Sequence, residues 1–217
     1  MSAGRKSLLL LLLVLLWPGE GFAQVKEVKT FKREMKLQEN GARLEASFFF
    51  PDVFTPRFKK RLSSGFTSHV LVGVQLLVAK ERVPLAQGVA EYTILYDIWE
   101  EKFAVRVQGV EGQKDLVVPS MEDLVRSCAT VDKMQLTRLL DLPADVKVFL
   151  EVRIQINPTS PEQLRKVREY LANPDGSGRV GGAKFFGSFS RIFVDEKDFQ
   201  AEAVYTYRSP ELTLPSR

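Results

Sequence analysis

The alternation of apolar and polar side chains between positions 147 and 156 limits the fold of this chain more than any other feature. One face of this segment is apolar and carries Val148, Leu150, Val152, Ile154 and Ile156. The opposite face carries Lys147, Glu151, Arg153 and Gln155, together with Phe149. A period of two residues is typical of a strand that buries one face. The pattern therefore predicts a β-strand here.

Two hairpins are predicted by the same period. The first pairs residues 31–37 with 43–50 around Asn40-Gly41, a dipeptide favoured where both turn residues adopt positive φ. The second pairs residues 88–99 with 103–108, two apolar runs separated by a short polar break. Each hairpin joins its strands through only a few residues, so both must be antiparallel.

Three further strands complete the predicted sheets. Residues 70–78 are largely apolar on both faces, which is typical of a central strand. Shorter or later strands are predicted at 116–118 and 199–208, which gives about eight strands in all. We expect a mainly β (α+β) fold, an antiparallel β-sandwich-like domain with three or four helices at its edges.

Three helices are predicted from their N-terminal caps. Thr55-Pro56 opens a short helix, Ser120 opens a second, and Ser160-Pro161 opens a third that runs to about Ala172. The third begins with a capping box, in which the serine oxygen accepts from a backbone N–H and the Gln163 side chain reaches back to the cap.

The N-terminus has the organisation of a secretory signal peptide. Arg5 and Lys6 precede an unbroken apolar run over 8–16, and small residues follow, with Gly21 and Ala23 at the −3 and −1 positions of a cleavage site. The run is shorter than the roughly 20 residues that a membrane-spanning helix needs. We expect an exported chain, periplasmic or secreted, that is cleaved after Ala23.

The rest of the chain is long enough to bury one core. The full sequence is 45% apolar and 10% aromatic, which argues against disorder, and its formal net charge of +4 is too mild to indicate a nucleic-acid partner. Export permits disulfides, but Cys128 is the only cysteine, so stability must come from packing. We predict a single β-rich domain over 24–210 and a C-terminal tail over 211–217.

No motif for catalysis, cofactor binding or metal binding is present. The sequence has no phosphate loop, nucleophile elbow or dinucleotide fingerprint. Cys128 lies on the apolar stripe of its predicted helix, and His69 is the only histidine. Residues 173–184 imitate part of a calcium loop, but Lys184 stands where a bidentate glutamate is needed, so we interpret this stretch as a helix exit. We predict no enzymatic activity and no cofactor or metal.

Two aromatic stretches have two interpretations each. Trp99 lies between the apolar runs of residues 92–109, and a helical stripe follows at Phe185, Phe186, Phe189, Ile192 and Phe193. Packing in the core explains both stretches. The alternative is contact with a partner or a membrane through Phe185, Phe186, Phe189, Phe193 and Trp99.

Four stretches carry a family resemblance: "RLSSGFTSHVLVGVQLLV", "YTILYDIWEEKFAVRV", "VFLEVRIQINPTSPEQLRKVREYL" and "FFGSFSRIFV". Their shared elements are a Gly turn before a strand, a tyrosine-bearing strand and a late apolar helix. Together they resemble a domain-of-unknown-function family of uncharacterised exported proteins of the Gram-negative bacterial envelope. The resemblance implies a periplasmic β-rich domain and supplies no activity, substrate or active-site residue.

The function expected on these grounds is that of a non-catalytic binding or assembly module of the cell envelope. Its partner would be another envelope protein, with peripheral membrane contact as a further interaction and no nucleic acid. One alternative is a lipid-binding β-sandwich with an apolar cavity between its sheets. Another is a hydrolase of envelope polymers with a carboxylate pair in an acidic cleft.

The Phe185–Phe193 stripe yields a first prediction. If the stripe packs on the sheet, Phe189→Ala should lower the free energy of unfolding by roughly 3 to 5 kcal/mol, because truncating a buried phenylalanine leaves a cavity. We expect this destabilisation, since residues 194–198 give the helix only a short tether before the next predicted strand. Thermal melts and liposome sedimentation of both proteins test it. An unchanged melt with lost liposome binding would contradict packing.

Overall fold

The structure is a computed structural model and describes residues 30–41, 43–79, 84–136, 146–172 and 201–214. Within these residues the chain forms an eight-stranded sheet, a three-stranded sheet and three α-helices. The predicted mainly β, sandwich-like fold is confirmed. Its strands are more numerous than the eight or so expected, because several short strands extend the sheets.

The large sheet has the strand order β1-β10-β9-β4-β5-β6-β7, and β11 also pairs with β9. Its strands are β1 (Thr30–Lys32), β4 (Ser68–Val78), β5 (Pro84–Asp97), β6 (Lys102–Gly109), β7 (Gly112–Val118), β9 (Lys147–Pro158), β10 (Ala201–Arg208) and β11 (Leu212–Thr213). The strand predicted to be central, β4, lies between β5 and β9. Its pairs are antiparallel, as are the other pairs of this sheet except the parallel pair β1–β10.

The small sheet has the order β2-β3-β8, and both of its pairs are antiparallel. Its strands are β2 (Lys36–Asn40), β3 (Arg43–Phe49) and β8 (Thr130–Leu136). The helices are α1 (Pro56–Leu62), α2 (Met121–Cys128) and α3 (Pro161–Ala172), and a 3-10 helix spans Pro51–Val53.

A single apolar core lies between the two sheets. The large sheet contributes alternate residues of its central strands, among them Val72 and Val152. The small sheet contributes Leu44 and Leu136, and α2 contributes Leu124. All five side chains are fully buried. The period-two pattern of the sequence thus selects the side chains that one sheet turns toward the other.

The opposite face of the large sheet is covered in part by α3, and we call it the α3 face. Cross-strand register places on it Leu71, Gly73 and Gln75 of β4, Gln87, Val89 and Glu91 of β5, and Glu151, Arg153 and Gln155 of β9. The helix packs three apolar side chains, Val167, Tyr170 and Leu171, on Leu71 and Val89. This second apolar contact is much smaller than the core between the sheets.

The predicted helix starts at Thr55, Ser120 and Ser160 are confirmed. Each side-chain oxygen accepts a hydrogen bond from the third backbone N–H of its helix, at 3.1 to 3.3 Å. The predicted second half of the capping box is wrong. The Gln163 side chain is buried and has no hydrogen-bond partner among the described residues. It lies one turn before Val167 on the sheet-facing side of α3, so it cannot reach back to the cap.

The first predicted hairpin is correct in its pairing but not in its bounds. The run 31–37 divides between β1 in the large sheet and β2 in the small sheet, because the chain crosses between them near the buried Met35. Asn40 pairs with Arg43 and therefore ends β2 instead of occupying the turn. The turn begins at Gly41, whose φ of 62° lies in the left-handed region that glycine tolerates.

The strand β8 is absent from the sequence prediction, and a β-bulge explains why. The register between β3 and β8 shifts between Ala46 and Phe48, and Lys133 has a φ of 54°. The backbone N–H of Lys133 donates to Ser47 Oγ at 3.0 Å. Because the inserted residue interrupts the alternation of side chains, β8 does not show the period of a regular strand.

The end of the described chain belongs to the large sheet. The segment 211–217, which was predicted to form a tail, contains β11, and Leu214 is buried in the core. The predicted late strand is present as β10. The leader over 1–23, the calcium-like loop over 173–184 and the Phe185–Phe193 stripe lie outside the described residues.

Close approach of the two sheets at Gly88 yields a second prediction. A Cβ atom at Gly88 would lie 2.9 Å from the Gln135 carbonyl oxygen and 3.0 Å from Leu136 Cδ2. We expect Gly88→Ala to lower the free energy of unfolding by about 1 to 3 kcal/mol, because β8 must move away. Gly109→Ala is the control, since a Cβ there meets nothing within 4 Å. Urea unfolding compares the two, and equal midpoints would contradict the close approach.

Candidate functional site

The turn between β5 and β6 is held by one carboxylate. Asp97 pairs with Lys102 at the end of the hairpin, and its Oδ1 accepts from the backbone N–H of Trp99 at 2.9 Å and of Glu100 at 3.1 Å. The hydrogen bond from Glu100, followed by that from Trp99, lowers the pKa of the Asp97 carboxyl. Glu101 completes the turn with a φ of 52°. The backbone that carries Trp99 is therefore fixed by specific bonds.

Three large apolar side chains stand exposed at this end of the molecule. Trp99 is 88% exposed, Phe66 is 72% exposed and Ile98 is 57% exposed. Gly65, the residue before Phe66, lies beside the turn, because a Cβ atom on this glycine would lie 3.3 Å from Ile98 Cγ2. We call Phe66, Ile98 and Trp99 the aromatic turn surface.

An apolar strip crosses the α3 face of the outer strands near the turn. Leu95 of β5 is directly opposite Ala104 of β6, which is directly opposite Val117 of β7. Leu95 is 41% exposed and Val117 is 69% exposed. These two side chains are a second exposed apolar feature, next to the aromatic turn surface in the sequence of β5 but on the α3 face of the sheet.

The remainder of the hairpin packs as predicted. Tyr92, Ile94, Phe103 and Val105 are buried in the core, and the ring of Tyr96 lies 4.7 Å from that of Phe103 between centroids. Core packing therefore accounts for the aromatic residues of both strands. It does not account for Trp99, which lies beyond the last strand pair.

Sequence reasoning selected Trp99 but missed the other members of this surface. Phe66 follows a helix end marked by Gly65, and Leu95 and Val117 occupy strand positions where an exposed face requires polar residues. An apolar residue on the solvent side of an alternating strand is the signal that would have found them. The candidate residues Phe185, Phe186, Phe189 and Phe193 lie outside the described part of the chain.

Charges near the aromatic turn surface have an uneven distribution. The turn itself carries Asp97, Glu100 and Glu101 against one lysine, Lys102. The nearby helix α1 is basic, with exposed groups at Arg57, Lys59, Lys60 and Arg61. Arg61 Nε lies 3.3 Å from Glu202 Oε2, so part of this positive charge is neutralised within the fold.

His69 belongs to a small polar cluster. Its Nδ1 lies 3.3 Å from Glu91 Oε1 and 3.4 Å from Thr93 Oγ1, and Arg168 of α3 lies 3.6 Å from the same carboxylate. Within the described ranges, no group of three or more His, Cys, Asp or Glu residues is placed to hold a metal ion.

Cys128 is a core residue. It is 2% exposed, and desolvation by burial raises the pKa of its thiol to about 12. A catalytic cysteine needs a lowered pKa and an accessible sulfur. The side chain has neither property.

A shallow groove of about 330 Å³ opens where β2 approaches β11. Met35, Leu37, Leu44 and Leu212 form its apolar part, and Lys36, Gln38 and Glu39 form the remainder. An alternative based on lipid binding calls for an enclosed apolar cavity between the sheets. This groove is instead open and mixed in polarity.

Comparisons with protein-family models, with curated proteins and with solved structures find no match to this chain. Among the described residues, no helix is long and apolar enough to cross a membrane.

Burial of Cys128 yields a third prediction. In the folded protein at pH 8 the thiol should react with a maleimide far more slowly than it does in urea, because it is both buried and protonated. The rate ratio between native and denatured protein should exceed about 100. Mass spectrometry of the timed reaction measures it. Comparable rates would mean that α2 does not cover the sulfur as described.

Proposed function

We propose that this protein is an exported, non-catalytic binding module of the cell envelope that docks a protein partner through the aromatic turn surface. The observation that carries the proposal is a tryptophan that is 88% exposed on a turn fixed by two hydrogen bonds to Asp97. Tryptophan, with tyrosine and arginine, is enriched among the side chains that dominate the binding energy of protein interfaces.

The shape of this surface favours a protein partner over a small molecule. Small-molecule sites are concave, whereas Trp99 lies at the tip of a projecting hairpin. A projecting indole fits a pocket on another protein. Because the backbone of the turn is already fixed, little conformational entropy is lost when the side chain enters such a pocket.

Charge favours a protein over an anionic membrane. Inserting Trp99 into a membrane surface would bring Asp97, Glu100 and Glu101 against anionic headgroups, with only Lys102 to offset them. The same carboxylates complement a protein pocket that is bordered by lysine or arginine. The partner that fits is therefore an envelope protein with an apolar pocket and a basic rim.

Docking of Trp99 yields a fourth prediction. A photoreactive amino acid at position 99 should cross-link one discrete partner in intact envelopes, whereas the same group at exposed Glu111 should not. With the purified partner, Trp99→Ala should weaken binding by at least 2 kcal/mol, or about 30-fold. Trp17 lies in the predicted leader, so fluorescence of the processed chain reports on Trp99 alone and should shift to shorter wavelength on binding.

Two variants of Asp97 separate positioning of the turn from charge. Asp97→Ala removes the acceptor for the Trp99 and Glu100 N–H groups and should weaken binding, while Asp97→Asn retains an acceptor oxygen and should bind more tightly than the alanine variant. Binding should also weaken as salt increases if the partner has a basic rim. Unchanged affinity of Trp99→Ala would refute the proposal, as would binding of the turn to anionic vesicles in place of a protein.

A further inference from the structure

Three buried glutamines belong to the α3 face and to the helix that packs on it, and the two on the strands are four residue positions apart along the sheet. Gln75 of β4 lies directly opposite Glu151 of β9, and Gln155 of β9 lies directly opposite Leu71 of β4. Gln163 faces the sheet from α3. The three side chains are 4%, 1% and 3% exposed, in the order Gln75, Gln155 and Gln163. Glutamine is seldom buried to this degree on a sheet whose opposite face is apolar.

The hydrogen-bonding groups of these glutamines are not satisfied within the described residues. Neither amide atom of Gln155 or of Gln163 has a partner there, and Nε2 of Gln75 has none. Thr206 of β10 lies opposite Arg153 on the same face, and its Oγ1 atom also has no hydrogen-bond partner among the described residues. Leaving buried donors and acceptors unpaired destabilises a fold, so groups of this kind call for an explanation.

Charged side chains on the same face are paired with one another. Glu151 Oε2 lies 2.7 Å from Arg208, and its Oε1 lies 3.8 Å from Arg153. Glu91 has His69 and Arg168 as its neighbours. Little net charge remains to attract an ion. The unpaired hydrogen-bonding groups named above are neutral carboxamides and one hydroxyl. Such groups both donate and accept hydrogen bonds.

Among the described residues, the helix on this face makes a small apolar contact with the sheet. Its apolar interface consists of Val167, Tyr170 and Leu171 against Leu71 and Val89. Polar contacts add to it: the Tyr170 hydroxyl donates to the Gln87 carbonyl oxygen at 3.4 Å, and Arg168 lies 3.6 Å from Glu91 Oε1. Elements with few buried apolar contacts are those that open at the lowest free energy, well below global unfolding.

We propose that α3 is a movable cover and that the α3 face beneath it binds a neutral, hydroxyl-rich ligand, an oligosaccharide segment. A sugar hydroxyl both donates and accepts, as a carboxamide does, so two adjacent hydroxyls satisfy one glutamine side chain. The site is closed in this structure, because the glutamines have no exposed surface that a ligand can reach. This second site does not depend on the aromatic turn surface.

Opening of α3 is tested by hydrogen exchange on the full processed chain. The backbone N–H groups of residues 164–172 should exchange through an opening that leaves β4 and β9 protected, because the helix leaves without unfolding the sheet. Exchange of α3 only together with β4 and β9 would overturn the movable cover.

Ligand binding is tested by calorimetry with three probes, maltoheptaose, cellohexaose and chitohexaose, and with hexaglutamate as an anionic comparison. At least one neutral oligosaccharide should bind saturably and hexaglutamate should not. Failure of all three oligosaccharides to bind would overturn the proposal, and so would preferential binding of hexaglutamate.

Variants of the glutamines distinguish a binding role from a packing role. Gln75→Leu and Gln155→Leu should each raise Tm by about 3 °C or more, since they remove unpaired groups, and should weaken oligosaccharide binding about tenfold or more. Gln163→Leu is the backup variant if the strand variants fail to fold. Gln38→Leu, at an exposed position of β2, is the matched control and should change neither property.

The outcomes also separate this site from the aromatic turn surface. Trp99→Ala should leave oligosaccharide binding unaltered, because its side chain lies beyond the end of the hairpin. Unweakened binding by the leucine variants would overturn the assignment of the α3 face, as would a lowered Tm, which would mean that the amides are already satisfied in the fold.

Discussion

The antiparallel pairing of β4 with β9 is the constraint on which the rest of the structure depends. Every second side chain of both strands points to one face, and that row, from Val70 to Leu76 and from Leu150 to Ile156, is almost fully buried. Such a row must be covered by something other than water. The small sheet and α2 provide the cover, and β8 approaches β5 closely because Gly88 has no side chain.

The two faces of the large sheet consequently differ in character. One face is closed by a continuous apolar core, and the other mixes a few apolar residues with paired charges and glutamines. Among the described residues, the apolar contact between α3 and the second face is small. Rigidity is thus concentrated between the sheets, while the groups available for recognition lie on the α3 face and at the β5–β6 turn. The two binding sites that we propose could therefore move or project without disturbing the core.

Local signals predicted much of the fold. The caps at Thr55, Ser120 and Ser160 and the alternation of β9 are properties of adjacent residues, so they can be seen in the sequence. The failures have long-range causes. The bulge at Lys133 shifts the register in which β8 pairs with β3, which is distant in the sequence. The strand β1 is separate from β2 because it pairs in parallel with β10, far along the chain. Of the candidate site, sequence reasoning found Trp99 and missed the residues that surround it.

The sequence by itself determined which residues share a face of each strand, because the strand period is a property of the backbone. It also determined, through its alternating strands and short turns, that the fold is mainly antiparallel β. Only the tertiary structure decided which of those faces is covered, and by what. Gln75 and Gln155 are buried on the face of the sheet against which α3 packs, whereas Trp99 is exposed because nothing in the described residues reaches the tip of its hairpin. Burial depends on contacts between residues that are distant in sequence, and no local pattern specifies those contacts.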